Sequence, residues 1–277
     1  MTAAVGTPGE RVATRMVPLS LLIASLVVVA SGLGLLASST YQHETGNWRM
    51  QAQGQDVGNL LAAAVLIVTS VRARASLRSF LLWIGTMFYF LYAYVVYAFA
   101  VHFGRLFLVY VAVLGLVFYG LLGARTLAAR WEKPAYPAGG SRRLAAAVLA
   151  GTGLLFGLLW LGEVIPATIT GVSPASLTEA GLAVNPIHAI DLSVVLPGML
   201  ATAYLTSKGN PVGNFLVAPW LMFSALMGLS IVAAMGIIVG SGDSSALPPM
   251  FMVATIVAVS LFALSRYVRQ VEARPRT

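Results

Sequence analysis

Long apolar stretches alternate with short polar ones along the whole chain, over residues 17–38, 57–71, 79–100, 106–123, 144–161, 187–206, 215–240 and 249–265. Most are close to the ~20 residues that a helix needs to cross the hydrocarbon core of a bilayer. Inside lipid every backbone polar group must be satisfied within the protein, so each stretch is predicted as a helix. The pattern predicts an all-α fold: a polytopic transmembrane helix bundle of about eight spans, with residues 1–277 forming a single transmembrane domain. The second stretch is short, about 15 residues against the ~20 required. The polar turn before it, Gln-Gly-Gln-Asp at 53–56, is therefore expected to belong to the helix and to be drawn into the membrane edge.

Composition agrees with this reading. Hydrophobic residues make up 58% of the chain, charged ones 9%, and the mean hydropathy is +0.86. A soluble domain of this length could not hide so much apolar surface, whereas a bilayer solvates it. Charge then orients the bundle. Of the 17 Lys and Arg residues, 15 fall in the two tails and in alternate gaps, and only Arg49 and Arg105 fall on the other side. The positive-inside rule places both termini in the cytoplasm. The net charge of +8 is a topology signal and an attraction to anionic lipid, and nucleic acid is not an expected partner. The first stretch has a basic leader, yet the charge alternation requires it as a retained span.

Several chemistries drop out. With no cysteine there is no thiolate catalysis and no iron–sulfur cluster. The only lysines, Lys133 and Lys208, fall in gaps between spans, so retinal has no Schiff-base partner. Neither a P-loop nor a GxSxG or HExxH pattern is present. His43, His102 and His188 share no spacing that recommends haem, and His102 reads as a turn residue.

Residues 128–141, with Pro134, Pro137, Gly139 and Gly140, read as a flexible cytoplasmic linker between possible halves 1–127 and 142–277. Asp56 and Asp191 open the second and sixth spans, Phe80 and Phe215 open the third and seventh, and each pair is 135 residues apart. These matches predict two parallel four-span halves, related by an axis along the membrane normal. Gly153 and Gly157, and likewise Gly236 and Gly240, form small-residue faces expected to receive a neighbouring helix within the chain. Asn185-Pro186 is a helix start signal, and Pro197 is expected to kink the sixth span.

Candidate chemistry gathers at the outer ends of the second, fifth and sixth spans. His188 and Asp191 share a helix face. Glu163 closes Leu-Trp-Leu-Gly-Glu (159–163), where a carboxylate at a helix C-terminus is unfavourable unless something holds it. Asp56, Gln53 and Gln55 open the second span at the same depth. Gathered round one outer cavity, these residues form a site for a small ligand or a divalent cation, with Glu163, His188 and Asp191 as metal ligands. Scattered, Asp56 and Asp191 are helix-start residues, Glu163 is solvated and His188 is an interfacial hydrogen-bonding residue. Tyr89 and Tyr92 lie near mid-membrane, where their hydroxyls need partners. They are expected to face the interior, either as core or as the lining of a pocket for a lipid-like or aromatic ligand.

The segments Gln-Gly-Gln-Asp…Leu-Leu (53–61), Leu-Trp-Leu-Gly-Glu (159–163) and Asn-Pro-Ile-His-Ala-Ile-Asp-Leu (185–192) resemble those of a family of uncharacterised bacterial integral membrane proteins of actinobacterial type. The resemblance implies a multi-span plasma-membrane protein and brings no activity, substrate or cofactor. Three classes of function follow from the residues: an outward-facing small-ligand or cation-binding protein related to transport, a membrane-embedded metal-dependent hydrolase, and a non-catalytic membrane partner or scaffold. Polar residues are concentrated toward one end of the spans, which fits a one-sided pocket better than a path through the membrane.

Overall fold

In the computed structural model, which describes residues 8–129 and 131–275, eight helices are long and apolar enough to cross a membrane. They are α1 (Pro8–Leu36), α2 (Gly46–Arg72), α3 (Leu77–Ala100), α4 (Phe107–Ala128), α5 (Gly139–Thr170), a sixth span (Pro186–Ser207), α9 (Pro211–Gly240) and α10 (Leu247–Val268). A short helix, α6 (Ala175–Ala180), precedes the sixth span, which is itself built from α7 (Pro186–Ile190), a π-helical turn (Asp191–Val195) and α8 (Leu196–Ser207). Successive crossings bring the two ends of the chain to one end of the bundle. The α1–α2, α3–α4, α5–α7 and α9–α10 connections lie at the opposite, far end. Part of the charge pattern rests on the side chains of Arg11, Arg15, Lys133 and Arg274 and on Arg130 and Arg276, which lie outside the described residues.

Local chemistry starts the helices where polar side chains can take their free N–H groups. Thr45 caps α2 by accepting from the Trp48 amide, Ser76 caps α3 by accepting from Ser79, and Asn210 caps α9 with Pro211 at its first turn. The start of α2 lies well upstream of the apolar stretch, so residues 53–56 sit inside the helix and not at its first turn. The Trp48 indole donates to the Ala100 carbonyl (2.8 Å) and ties the start of α2 to the end of α3. Nearby, Glu44 is buried and accepts from the His102 amide (2.8 Å), with the His102 ring Nδ1 3.0 Å from its other oxygen. His102 therefore fastens the α1–α2 and α3–α4 connections to each other.

Helix adjacency is similar among the first four and the last four spans, although α5 also packs on α9 whereas α1 does not pack comparably on α3. In the first, α1 packs on α2 and α4, and α3 on α2 and α4; in the second, α5 packs on α8 and α10, and α9 on α8 and α10. Between the halves the correspondence is incomplete, because α9 packs on both α2 and α3 whereas α3 meets the sixth span mainly at α7. The close approach of α2 and α9 has a definite cause. A Cβ added at Gly54 would overlap the backbone of Ala234, and one at Gly58 would overlap the Ser230 side chain. Gly54 and Gly58 are four residues apart, on one helix face. The expected faces behave differently: Gly153 lies against Leu200, while Gly236 and Gly240 have no neighbour within 4 Å. A Cβ added at either glycine of the seventh span's pair would thus meet none of the described residues.

A second correction concerns the linker. Trp131–Ala135 (β1) pairs antiparallel with Glu272–Pro275 (β2), so a segment expected to be flexible is held in a two-stranded ladder. Trp131 is buried 6.5 Å from the Phe80 ring, and the Val271 carbonyl accepts from Arg78 Nε (2.8 Å). Burial of the adjoining Tyr136 pushes its phenol up to about 12. The ladder closes the terminal end of the bundle and links the two halves through the last residues of the chain.

Candidate ligand site

Two groups of polar side chains lie within the bundle, joined by a cavity. The first is organised by α2, which projects Gln55, Asp56 and Asn59 inward. Asp56 is 1% exposed. Its two oxygens accept from Tyr41 (2.7 Å) and Tyr97 (2.8 Å). Asn59 donates to Ser31 (3.2 Å) and accepts from the Tyr89 hydroxyl (3.0 Å). That hydroxyl also meets Gln55 Nε2 (2.7 Å) and the Ser230 hydroxyl (2.8 Å) on α9. Every donor to Asp56 is neutral, and among the described residues neither ion pair involves it. Tyr41 lies in the α1–α2 connection; burial first, then the charge of Asp56, raises its phenol above the ordinary value and keeps it a donor.

Asp56 is accordingly neither an edge residue nor a helix-start residue. It is the centre of a buried network that spans α1, α2, α3 and α9. Of the other residues expected here, Gln55 and Tyr89 belong to this network, whereas Gln53 is half-buried and belongs neither to it nor to the cavity wall. Sequence reading passed over Tyr41, Asn59, Tyr97 and Ser230. A signal for Asn59 was available, because Gln55 and Asn59 are four positions apart and share a helix face. Tyr41, Tyr97 and Ser230 meet the network only through tertiary contact.

The second group forms where α5 faces the sixth span. Asn185 Oδ1 accepts from the amides of Ile187 (3.0 Å) and His188 (3.4 Å), and Pro186 takes the first helical position. This confirms the expected start. The helix then widens into the π turn, closed by the Leu196 amide donating to the Asp191 carbonyl. Pro197 has no N–H to donate and cannot continue regular bonding, so the irregularity falls in the turn before it. Asp191 stands at the head of that turn, 8% exposed, and accepts from the Trp160 indole (2.8 Å), with the Tyr92 hydroxyl beside the same carboxylate.

His188 lies on the other side of Trp160, its ring 4.6 Å from the indole and its Nε2 3.8 Å from Glu163 Oε2. Glu163 also accepts from Ser176 on α6. Its setting differs from the expected one: α5 continues through Pro166 to Thr170, so Glu163 is not at a helix C-terminus. The structure therefore brings Glu163, His188 and Asp191 round one tryptophan and leaves Asp56 in the separate network. As for a metal centre at these three, no group of three or more His, Asp or Glu side chains among the described residues is arranged to hold a metal ion.

Between the groups lies a cavity of about 370 Å³, walled by α2, α3, α5, the sixth span, α9 and α10. Asp191, Tyr92 and Trp160 line it from one side, Gln55 and Tyr97 from the other, and most of the remaining wall is apolar. Tyr97 thus touches both the cavity and Asp56. A cavity of this size, apolar with a few converging polar groups, has the character of a small-molecule site. The chain matches no protein-family model, no curated protein and no solved structure.

Proposed function

We propose that this multi-pass membrane protein binds a small amphipathic molecule in the cavity between its halves. Apolar walls hold the body of the ligand, and Asp191, flanked by Trp160 and Tyr92, holds its polar end. The observation that carries this reading is the placement of Asp191: a buried carboxylate with only neutral donors, opening onto a mostly apolar space of about 370 Å³. A buried carboxylate is costly in such surroundings, and a ligand donor would offset part of that cost. The distribution of basic residues further supports a far end that faces outward, with both termini cytoplasmic. A reporter fused after Asn210 should then read cytoplasmic and one after Ser173 external; the reverse pair of readings inverts the orientation.

Met227 lines the cavity, and Met227→Trp should fill part of it without touching the Asp56 network. Native mass spectrometry of protein taken from its own membranes should show a bound small molecule on the wild type and none on this variant. Equal occupancy in both, or none in either, contradicts the proposal.

A further inference from the structure

The chemistry of the cavity wall goes further than its shape. Six aromatic residues line it: Trp48, Tyr92, Tyr97, Phe156, Trp160 and Phe223. Phe156 and Trp160 lie 5.9 Å apart, and Tyr92 and Phe223 meet edge to face at 5.6 Å, so rings from α3, α5 and α9 converge on one space. The wall contains one acidic side chain, Asp191, and no Lys, Arg or His. His188 lies outside the wall, its ring tilted against Trp160 and its Nε2 facing Glu163.

We propose that the ligand is an organic monocation, a substituted ammonium whose charge sits at Asp191 and whose carbon substituents lie against the aromatic rings. This rests on the reading of the cavity as a ligand site and adds the sign of the ligand's charge. The faces of aromatic rings carry negative potential and attract a cation within about 6 Å of the ring centre. A carboxylate that has only neutral donors, and no ion pair among the described residues, attracts the same species and repels an anion. A divalent metal ion is a poorer fit, since hard cations take six or more oxygen ligands and the wall supplies a single carboxylate. An alkylammonium needs only one counter-charge and a desolvated apolar surround.

The test uses full-length protein in an uncharged detergent and three probes of similar size: benzyltrimethylammonium, its neutral carbon analogue neopentylbenzene, and the anion phenylacetate. Binding is read by calorimetry on the wild type, Asp191→Asn and Met227→Trp. Asparagine can still accept from the Trp160 indole, so the local hydrogen bond survives while the charge is removed. The cation should bind the wild type at least tenfold more tightly than either other probe, lose at least tenfold in Asp191→Asn and lose binding in Met227→Trp. If neopentylbenzene binds as tightly as the cation and Asp191→Asn changes nothing, the charge assignment is wrong and the cavity reading stands. If the anion binds best, the charge assignment is likewise wrong. If no probe binds the wild type, both fail. Should Asp191→Asn not fold, the ranking of the three probes on the wild type decides the matter alone.

Discussion

One added methyl group at Gly54 should be enough to keep the two halves from closing. A Cβ there has nowhere to go except into the Ala234 backbone on α9, which cannot swing aside as a flexible side chain could. The two helices must separate or rotate, and the contact between them joins the halves across the cavity. Overpacking in a tight interior costs roughly 1–3 kcal/mol where side chains can adjust. Backbone overlap belongs at or above the top of that range. Gly54→Ala should therefore lower the unfolding midpoint in detergent steeply or yield no monodisperse protein. Gly115→Ala is the control: nothing lies within 4 Å of the added atom. There the gain in helix propensity, roughly 0.5–1 kcal/mol in soluble proteins, should leave stability unchanged or slightly raised. Equal midpoints for Gly54→Ala and wild type contradict the packing described.

Asp56→Ala should be the most damaging polar substitution. It leaves the buried Tyr41 hydroxyl without its acceptor and the Tyr97 hydroxyl with only the Ala52 carbonyl at 3.2 Å. A buried donor so stranded costs about 1–3 kcal/mol, and the weakened hold on Tyr97 adds to that. Asp56→Asn keeps one acceptor oxygen, and its amide can donate to a rotated hydroxyl, so it should lose distinctly less. Thermal unfolding followed by intrinsic tryptophan fluorescence separates the three proteins. If Asp56→Ala unfolds at the wild-type temperature, the network is not what holds α2, α3 and the α1–α2 connection together.

Hydropathy made the architecture legible, because a span is a property of its own residues and of nothing distant. The eight helices, the Asn185-Pro186 start and the inward direction of Tyr89 and Tyr92 follow from local patterns of that kind. The failures are equally physical. The polar end of residues 159–163 read as the close of a span, yet α5 passes through it, and through Pro166, to Thr170. The ladder of Trp131–Ala135 escaped notice because its partner strand, Glu272–Pro275, is far from it in sequence.

Small-residue pairs show the limit most clearly. Gly236 and Gly240 stood out in an apolar stretch, yet a Cβ added there would meet no described residue, while Gly54 and Gly58 were hidden beside polar residues and lie against α9. Spacing locates a face on a helix; it does not say which helix arrives there. The site was legible to the same degree. Asp56, Asp191, His188 and Glu163 were visible as polar residues in costly places, but only the fold separates Asp56 from the other three and puts the cavity between them.

The central claim is that a ligand occupies this cavity with its polar end at Asp191. It is tested most directly by an electron-density map of the protein purified gently from its own membranes, without added probes. The account predicts non-protein density between Trp160, Tyr92 and Phe223, in contact with the Asp191 carboxylate and separate from the Asp56 network. A cavity closed by the packing of α9 against the sixth span, or one in which density avoids Asp191 altogether, would contradict it.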